Sequence, residues 1–229
     1  MHKIYHFLSD DSGAVTVDWV VLTAGITGLG MATVGVVSTG MSDLSGDINA
    51  QLGSNMISSL FGSTQIASMN FTNGDMGGWV GGTVMAPIEA LGDMLVLGPG
   101  ESTGITLDVP AGAESATLTF DLIGGDSLDN EVMTITTNGE TVTLARGLYN
   151  GTMTFITPDV EGITVSTEVI SEGTNLGGSG PARWRDSVTQ VTITVDDPGD
   201  TLALGMTSGA NQHIGDEFFG IDNVDISAN

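Results

Sequence analysis

Hydrophobic and polar positions follow three patterns along the chain, and each pattern predicts a different kind of element. Residues 14–41 form a nearly unbroken apolar run, which exceeds the roughly 20 residues that a helix needs to cross a bilayer. Between Leu44 and Leu60 apolar residues recur every four positions, the spacing of an amphipathic helix. From about Asn70 onward apolar and polar residues alternate in short runs, a pattern typical of β-strands.

These patterns predict an α+β protein, in which a long N-terminal hydrophobic α-helix precedes an antiparallel β-sandwich of the jelly-roll kind. We divide the chain into a leader at residues 1–13, the helix at 14–62, a linker at 63–69 and the sandwich at 70–229. Asn138-Gly139 between two alternating runs is a strong hairpin signal. The predicted strands cover residues 94–97, 104–109, 115–123, 131–137, 140–145, 151–156, 162–170, 188–195, 201–206 and 218–226.

The start of the apolar run has an unusual charge distribution. Gly13 separates the polar leader from the run, and the run contains one acid, Asp18, followed by Trp19. An isolated carboxylate in an apolar environment costs several kcal/mol unless a partner compensates it. Cleavage after Gly13 would create such a partner, because the new α-amine of Ala14 is positively charged at neutral pH.

Gly13, Ala14, Asp18 and Trp19 together resemble the processing site of the Flp (Tad-type, type IVb) pilins. Two features differ from that family: Glu-Tyr is usual where this chain has Asp18-Trp19, and Flp pilins are mostly much shorter. The resemblance implies cleavage by a prepilin peptidase, passage from the inner membrane into an extracellular filament with the help of the pilus assembly machinery, and a helical homo-oligomer. An uncleaved membrane anchor and an ordinary secretory signal remain open as alternatives.

Small residues in the apolar run favour close contact between helices. Gly25, Gly28 and Gly35 lie on a flank suited to helix–helix packing in a filament core. The same glycines are also explained by the ordinary composition of membrane helices.

The balance of charges restricts the partners of the protein. The chain contains 28 acidic and four basic residues, with a net charge of −24. Nucleic acids and anionic lipids are therefore unsuitable partners, since both are recognised by basic patches. The chain has no cysteine, so disulfides cannot stabilise an extracellular domain and core packing or a bound metal must do so.

Acidic residues concentrate in two segments of the predicted sandwich, and a further acid follows its first strand. With the opening Asn70–Trp79 segment and the closing Phe219-Gly220-Ile221-Asp222-Asn223 run, they resemble calcium-stabilised, lectin-like jelly rolls of the carbohydrate-binding-module type. Calcium binds six to eight oxygen ligands, and the resemblance implies Ca²⁺ here. Ordinary solvated acidic loops are the alternative. The candidate ligands are Asp75, Asp126, Asp129, Asn130, Glu131, Asp216, Glu217 and Asp222.

No motif of a catalytic site is present, so we predict that the protein is not an enzyme. Arg183, Trp184 and Arg185 form a candidate surface contact, either with a sugar ring or with the acidic surface of a neighbouring subunit. The pilin resemblance predicts a filament subunit whose sandwich covers the surface and serves attachment. The alternative is a membrane-anchored, non-polymerising protein that binds surface glycans.

Overall fold

A computed structural model describes residues 19–30, 33, 63–178 and 183–229. The chain divides into two compact units, at residues 1–52 and 53–229. Each unit is considered separately below.

In the first unit, residues 19–30 and residue 33 are helical. The predicted α+β fold with a long apolar helix is wrong, because the described residues form mainly a β-sandwich and are helical only at residues 19–30 and 33. Within the described residues, no helix combines the length and the hydropathy required to span a bilayer. Gly25, Gly28 and Gly30 lie inside this helix, although each disfavours helix by up to about 1 kcal/mol relative to alanine. Residues 14–18, 31–32 and 34–62 of the predicted helix lie outside the described residues.

The second unit consists of twelve strands over the described residues. The first six are β1 (Thr64–Met69), β2 (Thr83–Met85), β3 (Met94–Leu97), β4 (Ser102–Asp108), β5 (Ser115–Asp126) and β6 (Val132–Thr137). The others are β7 (Glu140–Leu148), β8 (Thr152–Ile156), β9 (Ile163–Thr174), β10 (Asp186–Asp196), β11 (Thr201–Ser208) and β12 (Glu217–Ala228).

The strands form two antiparallel sheets, which confirms the predicted sandwich. The larger sheet has the order β2-β3-β12-β5-β10-β9, and β1 pairs with β12 beside β3. The smaller sheet has the order β4-β11-β6-β7-β8. The predicted hairpin at Asn138-Gly139 joins β6 to β7, and both residues have the positive φ of a type I′ turn, at 50° and 86°.

The main core lies between the two sheets. On β6, β11 and the first half of β5, buried and half-buried residues alternate, as they do in a strand with one face on a core. The buried members include Phe120, Leu122, Ile135, Val191, Ile193, Leu204, Phe219 and Ile221.

A smaller cluster covers the other face of the larger sheet. It packs Ile88, Met94, Val96 and Phe218 together, among others. Because both faces are covered here, all four residues of β3 are buried. This arrangement explains why β3 is continuously apolar.

Two short strands, β1 and β2, have no equivalent in the sequence prediction. Residues 64–69, assigned to a linker, form β1, which pairs along the C-terminal half of β12 from Val224 to Ala228. After β1, the rings of Phe71 and Trp79 pack edge to face inside the core, with 6.2 Å between the ring centroids. The opening segment is therefore part of the sandwich.

Replacement of Gly125 tests the packing of the smaller cluster. Gly125 lies opposite Phe218 on β12, and a Cβ atom added to it would be 2.2 Å from the ring carbon Cζ of Phe218. We expect Gly125→Ala to lower the free energy of unfolding by about 2 kcal/mol, because a fully buried ring must move. Urea denaturation measures this change.

Gly98→Ala is the matched control, since the nearest atom to its added Cβ is 3.7 Å away. It should change the free energy of unfolding by less than about 0.5 kcal/mol. Equal effects of the two substitutions would contradict the packing described here.

Candidate functional site

Pairing between the central strands β5 and β12 places acids opposite acids. In this register Glu217 is the partner of Asp126, and Asp222 is the partner of Asp121. Like charges in directly opposite positions destabilise a sheet unless something compensates them. The two pairs define an acidic end and an acidic bulge, which are described in turn.

The acidic end is the region where the β5–β6 and β11–β12 connections meet. Ser127 donates from its main-chain N–H and from Oγ to the Asp216 carbonyl, at 3.0 and 2.7 Å. The Gly209 N–H donates to the Val132 carbonyl at 2.9 Å. These bonds hold the two connections against each other and fix the positions of Glu131 and Glu217.

Glu131 and Glu217 are buried carboxylates at this end, with 7% and 0% of their surfaces exposed. Asn211 contacts both: its Nδ2 donates to Glu131 Oε1 at 2.6 Å, and its main-chain N–H donates to Glu217 Oε1. Burial raises the pKa of Glu131, main-chain N–H donors oppose the rise, and the nearby Glu217 carboxylate adds to it. Glu217 Oε2 is buried and accepts no hydrogen bond.

A second pair of buried acids, Asp126 and Asp186, adjoins the acidic end. Asp186 accepts hydrogen bonds from the N–H groups of Asp126 and Leu176, at 2.9 and 2.7 Å. Burial, together with the charges of Asp186 and Asp216, raises the pKa of Asp126 to about 7. The pKa of Asp186 is also raised by burial, although the two N–H donors and Arg185 oppose this rise.

The acidic bulge lies further along β12, where the register with β5 shifts between Asp222 and Asp225. Asn223 has a positive φ of 49° and donates from Nδ2 to Asp121 Oδ2 at 2.9 Å. Asp121 Oδ1 and Asp222 Oδ1 are buried, and no group among the described residues donates a hydrogen bond to them. Burial raises the pKa of Asp222 to about 6, and the charges of Asp121 and Asp93 contribute to the rise.

The structure brings most of the predicted metal ligands to these two regions and keeps one apart. Asp126, Glu131, Asp216 and Glu217 meet at the acidic end, while Asp222 lies at the acidic bulge. Asp129 and Asn130 are exposed beside Glu131. Asp75 is exposed, accepts a hydrogen bond from the Gly77 N–H and joins neither region.

Three residues of these regions were absent from the sequence prediction: Asp121, Asp186 and Asn211. Asp186 follows directly after Arg185, so its sequence neighbourhood suggests a local ion pair. Its main-chain donor, Asp126, is 60 residues away. Within residues 63–178 and 183–229, no three histidine, cysteine or acidic side chains are arranged to hold a metal together.

The predicted assembly residues are only partly described. Trp19, Gly25 and Gly28 belong to the helix and are exposed. The predicted sites at Gly13, Ala14, Asp18 and Gly35 lie outside the described residues.

The predicted surface contact lies immediately before β10. Arg183 is exposed, whereas Trp184 and Arg185 are half-buried. The Trp184 carbonyl accepts a hydrogen bond from Asn175 Nδ2 at 3.0 Å. These features fit a loop that is partly packed on the sandwich.

A groove of about 450 Å³ crosses the outer face of the smaller sheet. Gly104 and Gly205 lie opposite each other on β4 and β11, and Gly205 also pairs with Thr136 on β6. Because the two glycines have no side chains, their main chain forms the floor of the groove. Val80, which is 77% exposed and pairs through its main chain with Gly104, lies at one side of it.

Other residues complete the lining of the groove. Thr106 is exposed, and the Thr136 hydroxyl donates to the Gly205 carbonyl at 3.2 Å. None of the lining residues is charged or aromatic. They are Gly78, Val80, Gly104, Ile105, Thr106, Thr136, Gly139, Ala203, Leu204 and Gly205.

Comparison with known proteins finds neither a family model nor a curated protein that matches the chain. Among solved structures, it is similar to the K3 adhesin domain of Lys-gingipain from Porphyromonas gingivalis, with 12% identity and a TM-score of 0.42 over 72% of this chain and 98% of that one. It is also similar to TmCBM27, a carbohydrate-binding module that recognises mannan, with 14% identity and a TM-score of 0.40 over 73% and 98%.

A third structure, TmCBM61 in complex with β-1,4-galactotriose, has 12% identity and a TM-score of 0.31 over 69% of this chain and 92% of that one. Similarities of this size assign neither a family nor a function to the chain. None of the comparisons supports the resemblance of the N-terminal segment to Flp pilins.

The raised pKa of Asp126 predicts a dependence of stability on pH. The unfolded chain releases this proton near pH 3.8, whereas the folded protein keeps it until about pH 7. Because the folded state binds more protons in this interval, the free energy of unfolding falls as the pH rises from about 4 to 7. Asp126→Asn should make the fall in the free energy of unfolding smaller by about 2 kcal/mol. One pKa unit corresponds to about 1.4 kcal/mol, and solvent relaxation reduces the effect below that of the full pKa shift.

Urea denaturation in the presence of a chelator, at several pH values, measures this effect. Asp108→Asn changes an exposed acid on β4 and should preserve the wild-type profile. A profile of Asp126→Asn that is parallel to the wild type over the whole interval would contradict the account.

Proposed function

We propose that the sandwich is an extracellular carbohydrate-binding module, and that neutral glycans bind in the groove above Gly104 and Gly205. The groove is the observation that carries this proposal. Its volume of about 450 Å³ is within the roughly 300–1,000 Å³ that small-ligand sites occupy. The helix-based filament is not part of the proposal.

The chemistry of the lining suits a sugar ring. A pyranose has faces made of C–H groups and a rim of hydroxyls. The glycine floor and the Val80 side chain provide an apolar surface for such a face. The Thr106 hydroxyl provides a donor and acceptors for the rim, and the Thr136 hydroxyl, which donates to the Gly205 carbonyl, provides an acceptor.

Two features of the groove restrict the ligand. Its lining has no aromatic ring, so recognition relies on shape and hydroxyl contacts, without stacking. Its lining also has no basic side chain, and the chain as a whole carries a net charge of −24. Electrostatic repulsion therefore disfavours sulfated and carboxylated glycans. We infer that the ligands are neutral and that the protein binds them without catalysis.

A glycan panel tests the proposal. We expect the full chain to bind at least one of a set of immobilised neutral β-linked oligosaccharides, and not their sulfated or carboxylated counterparts. Ala203→Glu should weaken this binding at least about tenfold, since it places a bulky charged side chain in the groove and leaves sugar hydroxyls poorly paired. Biolayer interferometry measures the affinity.

Ser166→Glu is the matched control, because it makes a similar change at an exposed position of β9 in the other sheet. It should leave the affinity unchanged. The proposal fails if no neutral glycan binds, or if the two substitutions weaken binding equally.

A further inference from the structure

The longest edge strand of the described sandwich is β9, at one end of the larger sheet. It has twelve residues, whereas the other edge strands, β1, β2, β4 and β8, have six, three, seven and five. Nine of the twelve residues of β9 are exposed. An edge strand presents main-chain groups that can pair with another chain, and proteins usually keep such strands short or protect them. β9 is therefore a candidate interaction surface.

The main-chain groups of alternate residues in β9 point away from β10. At the start of the strand, the Asp196 N–H donates to the Gly162 carbonyl at 2.8 Å. The next N–H, that of Ile163, points the other way and donates to the Val160 carbonyl at 3.1 Å. These directions alternate along a strand that is paired on one side. The groups that point towards the free edge, here called the edge groups, are the N–H and C=O of Val165, Thr167 and Val169.

Both ends of β9 are bonded on this side, and the stretch between them is open. The Ile163 N–H bonds to the preceding loop, and the Gly173 N–H donates to the Gly151 carbonyl at 2.7 Å. Between residues 164 and 171, no main-chain group of residues 63–178 or 183–229 bonds to the outer side of the strand. The register with β10 is regular from Ile163 to Val169 and shifts at Ile170. The segment available for pairing is therefore 163–169.

This segment lacks the devices that usually protect a sheet edge. It contains no proline, lysine or arginine and reads Ile-Thr-Val-Ser-Thr-Glu-Val. Ile163 and Val165 pack against the main core, whereas Val169, which lies on the same face, is 52% exposed. Ile170, at the bulge, is 54% exposed. β-Branched residues with an exposed apolar surface are suited to pairing with another extended segment.

The charge around β9 favours one kind of partner. Glu168 is the charged residue of segment 163–169, and residues 147–178 contain four acids and no lysine or arginine. A second copy would bring a chain with a net charge of −24 against the same acids. Electrostatic repulsion therefore disfavours a second copy, whereas a basic partner is attracted.

We propose that β9 binds an extended basic polypeptide segment, which adds an antiparallel strand to the larger sheet. In this mode, main-chain hydrogen bonds provide the affinity and alternate side chains provide the specificity. The partner residues opposite Val165, Thr167 and Val169 each exchange two main-chain hydrogen bonds with β9. A lysine of the partner lies opposite Glu168, in a non-hydrogen-bonded position, where opposite Cα atoms are only about 4.5 Å apart.

Fluorescence anisotropy with the full chain and a fluorescein-labelled peptide, Val-Lys-Val-Thr-Val-Lys, tests the proposal. The peptide is methylated on the main-chain nitrogens of its lysines and threonine, so that only one of its edges can pair. We expect saturable binding. The isomer that is methylated on its three valines should bind at least about tenfold more weakly, because it lacks the N–H donors that face β9.

Charge reversal locates the site on β9. Glu168→Lys should weaken binding of the lysine peptide about tenfold or more, because it places two lysines in opposite positions. The same variant should bind a peptide with glutamate in place of lysine more tightly than the wild type does. Glu140→Lys is the matched control, since it makes the same change at an exposed position of β7 in the other sheet. It should retain the affinity of the wild type.

Hydrogen exchange provides a second readout that needs no variant. In the free chain, the three N–H edge groups should exchange faster than the N–H groups of Thr164, Ser166 and Glu168, which face β10. The peptide should slow the exchange of the edge groups and leave that of the other three unchanged.

Several results would overturn the proposal. They are a failure of the lysine peptide to bind, equal affinities of the two methylated isomers, and equal weakening by Glu168→Lys and Glu140→Lys. Analytical ultracentrifugation of the full chain tests the other occupant of the edge. A dimer whose stability changes in Glu168→Lys, without binding of the peptide, would assign β9 to a second copy and would also overturn the proposal.

Discussion

The antiparallel pairing of β5 with β12 is the constraint on which the rest of the sandwich depends. It joins two long strands in the middle of the larger sheet and supplies Phe120, Leu122, Phe219 and Ile221 to the main core. A shift of one residue would move these side chains to the opposite face, so hydrophobic burial fixes the register. The same register places Glu217 opposite Asp126 and Asp222 opposite Asp121.

Burial of these acids therefore follows from the requirements of the core. The main-chain N–H groups of Asp126, Asp129, Leu176 and Asn211 satisfy part of their hydrogen-bonding capacity, but they do not supply a positive charge. If an arginine or lysine side chain lay beside these carboxylates, its positive charge would compensate them without a further partner. Burial and the charges of Asp186 and Asp216 raise the pKa of Asp126 to about 7, so a bound proton compensates this acid below that pH.

The acidic end and the groove lie at opposite ends of β6. Glu131 immediately precedes the strand, whereas Thr136 and Gly139 are at its far end and in the turn that follows. Substitutions at the acidic end should thus affect glycan binding only through the stability of the sandwich.

Much of the sandwich could be predicted because its strands have one face on the core. The alternation in residues 115–123 and 188–195 identified β5 and β10, although both strands are longer in the structure. β1 and β2 were missed because they are short, carry few strongly apolar residues and depend on pairing with β12 and β3. For the N-terminal segment, apolar character predicted a long helix, whereas the described residues are helical only at 19–30 and 33.

For the site, local sequence identified the acidic segments but not the way in which they combine. Asp126–Glu131 and Asp216–Glu217 are visible as clusters, and the structure brings them together. Asp121 lies within β5 and Asp186 is the first residue of β10, and neither belongs to an acidic segment of the sequence. Only the strand register and the contacts between strands show that they face other acids. The groove was invisible in the sequence, because it arises from two glycines 101 positions apart on paired strands.

A crystal structure of the sandwich tests the central claim most directly. The account predicts that β5 pairs with β12 in the register that places Phe219 and Ile221 in the main core and Glu217 opposite Asp126. A register shifted by one residue, with Phe219 and Ile221 on the opposite face of the sheet, would contradict the account.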